Sequence, residues 1–517
     1  MVIKAGGRNL GRSMILPTGE GANNLKKGER SEGVVDVGPV RKRVKRAERR
    51  VSPGRKGALK GTGGGTKRKR ETEAAYRGGE MLKTKLDLIT ERAKREPETR
   101  FTSLAHLLNE EYLTECYEAL KRGRAAGVDG VSVEEYGKGL EGKLKGLVDR
   151  MKAKQYRPQA VRRVFIPKGN GKLRALGIPA VEDKVVQMGM ARILEAIFEG
   201  DFLDVSHGFR PGRGCHGALQ ALDRMAMAKP VSHVIEVDIK EYYEHIDHKW
   251  LKRCLEQRIA DPSFLSLIVR TLKAGVMEEG VRSETEEGTP QGGIISPILS
   301  NIYLHYILDL WFERKLKKGL KGYAELIHYA DDFVIGCQYG WEAEKILVEL
   351  KERLKKFGLE VSEEKTRIVE FGRFAEERAE KRGGKAGTVE FLGFTHFCTK
   401  SRGGRFMVGR KTSGRRFRAK LVAMNRWLKS VRNREPIPDW WRVLKWKLNG
   451  HYQYYGITGN RKGIDRYYHE VLKMVYKWWN RRSQTRSGSW EEFQRRLRWN
   501  PLPTPRLTHI FRMAYAT

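Results

Sequence analysis

Short apolar runs alternate with longer stretches of helical spacing between residues 100 and 400. Four runs have the length and β-branched content of strands: VRRVFIPKG, SHVIEVDIK, ELIHYADDFVIGC and TVEFLGFTHF. Elsewhere apolar residues recur every three or four positions, which predicts amphipathic helices. In FTSLAHLLNEEYLTECYEALKRG one such stripe holds Leu104, Leu107, Leu108, Tyr112 and Leu113. The mixture predicts an α+β fold.

This patterning is absent from the N-terminus. Residues 1–70 hold 20 Lys and Arg, 5 acidic residues, 14 Gly and no aromatic residue. Such a composition cannot bury enough apolar surface to offset chain entropy, so we predict a disordered basic arm over residues 1–78. Its runs RKRVKRAERR and KRKR either contact phosphates or belong to a solvated tail without a defined site.

Residues 401–500 have another composition, with 26 Lys and Arg against 6 acidic residues and 8 of the chain's 11 Trp. Basic and aromatic side chains interleave in RRFRAKLVAMNRWLKSVRN and DWWRVLKWKLNGHYQYYGITG. Positive charge holds phosphates, while aromatic planes stack on unpaired bases. The segment therefore predicts a helical RNA-binding domain, or else amphipathic helices whose Trp stripe simply forms a core.

The charge of the whole chain narrows the class of partner. A total of 102 Lys and Arg against 63 Asp and Glu gives a net charge of +39, which favours nucleic acid, although ribosome-like packing or an anionic membrane would also account for it. The longest uncharged run, Gly288 to Leu308, contains two prolines and is a poor bilayer span. Its 5 cysteines lie far apart, as in a reducing cytosol. We expect a soluble, cytoplasmic, nucleoid-associated protein with no membrane partner.

Acidic residues stand at the ends of two predicted strands. Asp331 and Asp332 lie between apolar runs, so a hairpin would put the doublet at its tight turn, where Asp is common in any case. Asp238 ends another apolar run. Two or more carboxylates from neighbouring strands are suitable ligands for Mg²⁺, which prefers oxygen and keeps substrate phosphates in its shell. Two such ions suit nucleotidyl transfer.

Several segments in order resemble group II intron reverse transcriptases, or maturases. They are AAGVDGVS (125–132), KLRALGIPAVEDKVVQ (172–187), SHGFRPGRGCHGAL (206–219), DIKEYYEHIDH (238–248), GTPQGGIISPILSNIYL (288–304), YADD (329–332), GLEVSEEKT (358–366) and EFLGFTH (390–396). The resemblance covers roughly residues 100–517. It implies a right-hand polymerase with fingers and palm, followed by an α-helical thumb that doubles as the maturase domain.

The resemblance assigns roles to single residues. Asp238, Asp331 and Asp332 would be catalytic and would bind two Mg²⁺ ions, with the Ile239 carbonyl as a further ligand. The nucleotide-binding set is Arg174, Lys168, Lys172, Tyr243, Gln291 and Lys365. Arg174 would meet the triphosphate, assisted by Lys168 or Lys172. Tyr243 would exclude a ribose 2′-hydroxyl, unless it only packs in the core or Tyr242 has that role. Lys365 would protonate pyrophosphate.

The C-terminal segments resemble the domain that binds intron RNA. We expect RNA contacts from Arg415, Arg416, Arg418, Arg426, Lys445, Lys447, Tyr454 and Tyr455. The predicted divisions are fingers and the start of the palm over 79–235, palm over 236–400, thumb and maturase domain over 401–480, and a basic tail over 481–517. A Cys- and His-rich endonuclease module is not expected, so another primer source would be needed.

These observations predict an RNA-directed DNA polymerase that uses deoxynucleoside triphosphates, a DNA primer and an RNA template, and that assists splicing of its intron RNA. Two alternatives remain. One is a non-catalytic RNA splicing factor that keeps the fold, and the other is a free-standing reverse transcriptase of repair or defence. Clustered carboxylates argue against the first, because a pure RNA binder gains nothing from acid beside a polyanion. The oligomeric state is left open.

Overall fold

The computed structural model describes residues 85–167, 173–482 and 488–511 of the 517-residue chain. The predicted arm over 1–78 lies outside the described residues. Residues 85–95 are helical. The helices that follow are α1 (Glu110–Glu118), α2 (Val133–Tyr136), α3 (Leu140–Lys152), α4 (Val181–Phe198), α5 (Cys215–Ala228), α6 (His248–Leu255), α7 (Pro262–Leu272), α8 (Ser296–Leu304), α9 (Gly340–Lys356), α10 (Ala375–Lys381), α11 (Gly414–Val431), α12 (Ile437–Tyr455), α13 (Arg461–Asn480) and α14 (Trp490–Trp499).

Strands form three sheets. They are β1 (Val161–Pro167), β2 (Leu173–Ile178), β3 (His233–Asp238), β4 (Val276–Glu278), β5 (Val281–Ser283), β6 (Ala324–Tyr329), β7 (Asp332–Cys337), β8 (Arg367–Glu370), β9 (Thr388–Phe391), β10 (Phe394–Lys400) and β11 (Phe406–Thr412). The central sheet has the order β6-β7-β3-β8, the N-terminal sheet β2-β1-β4-β5 and the C-terminal sheet β11-β10-β9. Helices combined with mostly antiparallel sheets confirm the α+β prediction.

The central sheet is antiparallel throughout and is buried on both faces. Ile235 and Phe333 enter one core, which α4, α8 and α9 complete. Val234 and Val334 enter a second core, which is shared with α5, α11, α12 and α13. Burial on both faces explains why the strands appear in the sequence as nearly continuous apolar runs rather than as alternating ones.

The N-terminal sheet carries a projecting hairpin. Strands β1 and β2 pair antiparallel, and β1 pairs in parallel with β4 at Val161 and Val276. At the far end of this hairpin the side chains of Phe165, Ile166 and Leu173 are exposed. Apolar side chains that are left in solvent on a strand pair are available for contact with another molecule.

Three sequence predictions differ in detail from the structure. The helical stripe that begins at Leu104 is buried as expected, but the helix is broken at Asn109, whose side chain accepts a hydrogen bond from the Tyr112 backbone N–H and caps α1. The pair Ser296-Pro297 predicts a helix with serine at N-cap and proline at N1, whereas α8 begins at Ser296 and has Ile295 at the N-cap position. The serine Oγ donates to the Pro290 carbonyl at 3.0 Å instead.

The third difference concerns the start of the C-terminal helices. A helical domain was expected from residue 401, but β11 continues the C-terminal sheet to Thr412 and α11 begins at Gly414.

Among the helices of the described residues, none is both long and apolar enough to cross a membrane.

Candidate active site

Three carboxylates meet at one end of the central sheet. Asp238 is the last residue of β3 and Asp332 the first of β7, and the two are direct partners across the antiparallel pair. Cβ atoms of such partners lie about 4.5–5.5 Å apart on the same face. Asp331 comes directly before Asp332 and lies in the turn between β6 and β7. Strand register alone therefore brings together Asp238 and Asp332, which are 94 positions apart in the sequence.

The turn that carries Asp331 is strained. Strands β6 and β7 pair up to Tyr329 and Asp332, so Ala330 and Asp331 form a two-residue loop. Ala330 has φ of 55°, and Asp331 is not among the residues with positive φ, which is the pattern of a type II′ turn that favours glycine at its first position. The prediction that both aspartates occupy the turn is therefore wrong by one residue, because Asp332 already belongs to the strand.

The acidity of the doublet is shifted by burial and by neighbouring charge. The Asp332 side chain is exposed to solvent, but the protein atoms around its carboxylate, together with the charges of Asp331 and Asp238, raise its pKa to about 7. Burial also raises the pKa of Asp331, with Asp238 adding to the rise and Arg174 opposing it. A cation at this place would relieve the strain of holding the three charges together.

A lysine already provides part of that compensation. Lys365 Nζ donates to Asp238 Oδ2 at 2.7 Å. The segment that carries the lysine is fixed to β3, because the Ser362 N–H donates to the Asp238 carbonyl at 2.7 Å and Ile239 pairs with Val361. The structure thus places two predicted residues, Lys365 and Ile239, directly at the carboxylate end of the sheet.

Predicted nucleotide contacts gather on the other side of the doublet. Arg174 is exposed on β2 and acts electrostatically on both Asp331 and Tyr243. Tyr243 is half-buried beside them. Tyr242 is 1% exposed and its hydroxyl donates to the Ser300 carbonyl at 3.0 Å, so it belongs to the core and does not reach the site. Lys168 and Lys172 lie outside the described residues.

The loop with Gln291 is bonded to β2 of the N-terminal sheet. The Gly177 N–H of β2 donates to the Gln291 carbonyl at 2.7 Å. Gly292 has φ of 114°, and a Cβ at this position would lie 2.7 Å from the Gly177 carbonyl oxygen. Only glycine permits both the backbone conformation and the approach. This contact fixes the strand of Arg174 relative to the catalytic end of the central sheet.

A second tight hairpin lies next to Asp332. The sequence motifs assigned no function to it. Strands β9 and β10 are joined by Leu392 and Gly393, with φ of 48° and 80°. The Leu392 backbone N–H favours the charged form of Asp332. Its carbonyl accepts the Tyr454 hydroxyl at 2.8 Å. The leucine in EFLGFTH gave no signal in the sequence, since its use lies in its backbone.

The basic residues predicted to bind RNA differ in their exposure and in their contacts. Arg415, Arg416, Arg418 and Arg426 are all exposed on α11. Lys447 is exposed beside Trp427 at 4.8 Å from the ring, whereas Lys445 Nζ donates to Asn500 at 2.7 Å.

The two predicted tyrosines are already engaged inside the protein. Tyr455 is 3% exposed, and Tyr454 is bonded to Leu392 and stacks on Phe394 with centroids 6.0 Å apart. Neither ring is free to stack on a base, so we withdraw both from the RNA-binding set.

The donor set fits divalent cations that arrive with a ligand. Within the described residues, no group of three or more His, Cys, Asp or Glu side chains is placed to hold a metal ion by itself. Mg²⁺ is usually held by one or two carboxylates together with substrate phosphates, so an open group of carboxylates is suitable. Burial and neighbouring carboxylates raise the pKa values of Asp331 and Asp332, which a bound cation would oppose.

Comparison with known proteins defines the class. Residues 166–396 match the reverse transcriptase (RNA-dependent DNA polymerase) family. This region includes β2, the whole central sheet and the three aspartates. This part of the chain is therefore similar to reverse transcriptases, and the polymerase fold expected from the motifs is confirmed. Reverse transcriptases generally use divalent metal ions.

Individual relatives refine that class. The chain is 38% identical over 231 residues to Protein YkfC of Escherichia coli, covering 43% of this chain and 61% of the relative. It is 33% identical over 304 residues to the group II intron-encoded protein LtrA of Lactococcus lactis, covering 56% of this chain and 50% of the relative. It is also 35% identical over 95 residues to nuclear intron maturase 1 of Arabidopsis thaliana, covering 18% and 13%. The chain thus spans 61% or less of these relatives, two of which carry intron names.

Acidity at Asp332 leads to a prediction about stability without divalent ions. A carboxyl whose folded pKa is raised to about 7 keeps a proton that the unfolded chain loses near pH 4, so folding becomes less favourable as pH rises from about 4 to 7. We expect Asp332→Asn to raise the melting temperature in EDTA by about 2 °C at pH 8, and by less at pH 5.

The control is Asp149→Asn, which removes an exposed carboxylate from α3. It should change the melting temperature at neither pH. An equal gain from Asp332→Asn at both pH values, or a loss at pH 8, would show that the charge of Asp332 is not repelled in the metal-free protein.

Proposed function

We propose that this protein is an RNA-directed DNA polymerase that extends a DNA primer on an RNA template with deoxynucleoside triphosphates, and that it also binds group II intron RNA to assist splicing. One observation carries the polymerase proposal: Asp238 and Asp332 are paired across adjacent strands, with Asp331 in the turn between β6 and β7. The matched reverse transcriptase domain supports this assignment.

The chain's own residues account for the parts of nucleotidyl transfer. Asp238, Asp331 and Asp332, with the Ile239 carbonyl, would hold two Mg²⁺ ions, which supply activation of the primer hydroxyl and neutralisation of the leaving phosphate. Arg174, exposed beside Asp331, would bind the triphosphate and orient it. Lys365, within 2.7 Å of Asp238, is close enough to donate a proton to pyrophosphate as it leaves.

A splicing factor without catalysis is the weaker alternative. The charges of Asp238 and Asp331 add to the effect of burial in raising the pKa of Asp332, so holding these carboxylates together costs stability in the absence of cations. They also repel an RNA backbone, so a protein that only binds RNA has no use for them.

Primer extension tests the polymerase role. We expect Asp331→Asn to lower the rate of DNA synthesis on an RNA template by ~100-fold or more, since stabilisation of charge by the metals contributes several kcal/mol. Affinity for the template–primer should stay within about threefold of wild type. Asp149→Asn on α3 is the matched control and should extend primers normally. Equal incorporation by wild type and Asp331→Asn would defeat the site assignment.

Sugar selection tests the placement of Tyr243. Because its ring is half-buried beside Asp331 and Arg174, we expect Tyr243→Ala to increase ribonucleotide incorporation relative to deoxyribonucleotide by ~10- to 100-fold. Tyr242→Ala should instead lower stability without changing the preference, because Tyr242 is buried and bonded to Ser300. A shifted preference in Tyr242→Ala alone would exchange the two roles.

The maturase proposal depends on the exposed face of α11. Arg415, Arg416 and Arg418 lie in its first two turns, where no acidic residue accompanies them. Arg416 also lies next to the β9–β10 hairpin, since a Cβ on Gly393 would be 3.8 Å from its Cγ. A single RNA could therefore reach both the helix and the entrance to the catalytic end of the sheet. The group II intron-encoded name of LtrA points to the same partner.

Removing these charges tests that interface. We expect the triple variant Arg415→Ala, Arg416→Ala and Arg418→Ala to weaken binding of the flanking intron RNA and to reduce the slope of log affinity against log salt by about 2 to 3. Splicing at near-physiological Mg²⁺ without nucleotides should slow in parallel.

The matched control removes three cations that are already paired with carboxylates, Lys345, Lys351 and Lys381. An equal loss of affinity in that variant would show a general charge effect rather than a site. A free-standing reverse transcriptase would leave the splicing rate unchanged when added, even though it bound RNA.

A further inference from the structure

A buried group of ionisable side chains lies directly beneath the catalytic turn. His328 of β6 is 0% exposed and Asp309 is 1% exposed. His328 Nε2 lies 3.0 Å from Asp309 Oδ1, and His305 Nδ1 lies 3.9 Å from the other carboxylate oxygen. Asp309 ends the π-helical segment His305–Asp309 that follows α8, a deformation of the helix that is common at functional sites.

The other nitrogen of the same imidazole holds the turn itself. His328 Nδ1 lies 3.1 Å from the Ala330 carbonyl oxygen. Ala330 is the residue with φ of 55°, and Asp331 follows it. A left-handed conformation is unfavourable for an alanine, so the surrounding structure must hold it.

The contact with Ala330 identifies the donor atom of the ring. A carbonyl oxygen only accepts, so Nδ1 carries the hydrogen of that contact. Nε2 lies 3.0 Å from Asp309 Oδ1, but neither this nitrogen nor either Asp309 oxygen has a well-aligned hydrogen bond among the described residues. Asp309 therefore packs against the edge of the ring that faces away from the turn.

Other charged groups near the cluster do not replace His328. Burial lowers the pKa of His305 to about 4, and burial lowers that of His207 to about 4 as well, so both rings are neutral near pH 7. Arg210 is paired with Glu199 at 2.8 Å. Arg314 acts on His305 from a distance.

Backbone contacts hold the base of the turn but not its tip. The His328 N–H donates to Val205 at 2.9 Å, and the His207 N–H donates to the His328 carbonyl at 3.0 Å. A Cβ on Gly208 would lie 2.5 Å from the Ala330 nitrogen, so this glycine lets the loop pack against the turn. Among side chains of the described residues, the imidazole of His328 is the one that bonds the Ala330 carbonyl.

We propose that His328, supported by Asp309, is a positioning residue that holds the strained Ala330–Asp331 turn and thereby fixes where the Asp331 carboxylate is presented. The kinetic consequence rests on the proposed polymerase function. The structural consequence, a turn that is rigid only while Nδ1 bonds the Ala330 carbonyl, does not depend on it.

Two amide substitutions separate the two ends of the ring. The amide nitrogen of Asn takes approximately the place of Nδ1, and that of Gln the place of Nε2. His328→Asn should therefore keep the bond to Ala330, while His328→Gln should keep the contact with Asp309 and lose the grip on the turn. We expect His328→Gln to lower kcat for primer extension by ~10- to 100-fold, with template–primer affinity unchanged, and His328→Asn to stay within about threefold of wild type.

A rescue distinguishes positioning from mere packing. Glycine adopts positive φ without strain, so Ala330→Gly added to His328→Gln should recover at least about tenfold of the lost kcat. Equal loss of kcat in His328→Asn and His328→Gln, or no recovery on adding Ala330→Gly, would overturn the proposal.

Hydrogen–deuterium exchange gives a readout that needs no activity. Peptides that cover β6, the turn and β7 should exchange faster in His328→Gln than in His328→Asn or wild type. If the wild type extends no primer, the proposed function fails, but the exchange comparison still decides this inference. If both His328 variants fail to fold, Asp309→Asn and Asp309→Ala give the same comparison, with faster turn exchange expected only in Asp309→Ala. Identical exchange in the compared pair would contradict the proposal.

Discussion

The antiparallel register of β3 and β7 is the constraint on which the candidate site depends. It places Asp238 opposite Asp332 and leaves Asp331 in the adjoining turn. Three carboxylates at one sheet end repel one another, and that repulsion adds to the effect of burial in raising the pKa of Asp332. Hydrophobic burial on both faces of the sheet offsets the cost, because slipping the register by one residue would turn the apolar side chains of both cores out of place. The pairing of β3 with β7 thus keeps three carboxylates close together although they repel one another.

Backbone strain is concentrated around the same place. Glu241, Ala330 and Leu392 have φ of 46°, 55° and 48°, although none is glycine. Each lies within a few residues of a catalytic aspartate or directly contacts one through its backbone. Such conformations persist only where neighbouring structure holds them, and they occur often at functional sites. Here the supports are identifiable: the imidazole of His328 at Ala330, and the hydroxyl of Tyr454 at the Leu392 carbonyl.

The strands could be predicted from the pattern of apolar residues in the sequence. Contacts that are made by backbone groups could not be predicted from it. Apolar runs predicted β1, β3, β6, β7 and the β9–β10 hairpin, and in the central sheet these runs follow from burial on both faces. The proximity of Asp238 to the Asp331-Asp332 doublet could also be predicted, because these carboxylates lie at the ends of strands that belong to one sheet. The break at Asn109 was missed because a capping residue can interrupt a stripe without changing its burial.

Contacts made by the peptide groups themselves have no sequence signature. Leu392 acts on Asp332 through its N–H, which any residue but proline would provide. His328 was read only as part of an apolar run, since its value comes from Asp309, which lies 19 positions earlier in a helix. Tyr454 and Tyr455 were assigned to RNA because aromatic residues among basic ones favour stacking on bases. Their burial shows that the same pattern also results from a helix that packs on a neighbouring sheet.

The C-terminal helices are built into the polymerase domain rather than appended to it. Trp440 and Leu444 of α12 share one hydrophobic core with Val234 and Val334 of the central sheet. From that helix a short chain of contacts reaches the catalytic end, because Tyr454 bonds Leu392 and the Leu392 N–H faces Asp332. These contacts connect the packing of α12 to the surroundings of Asp332. The surfaces proposed for RNA binding and for polymerisation thus belong to one packed unit, so a substitution in their common core would disturb both proposed roles.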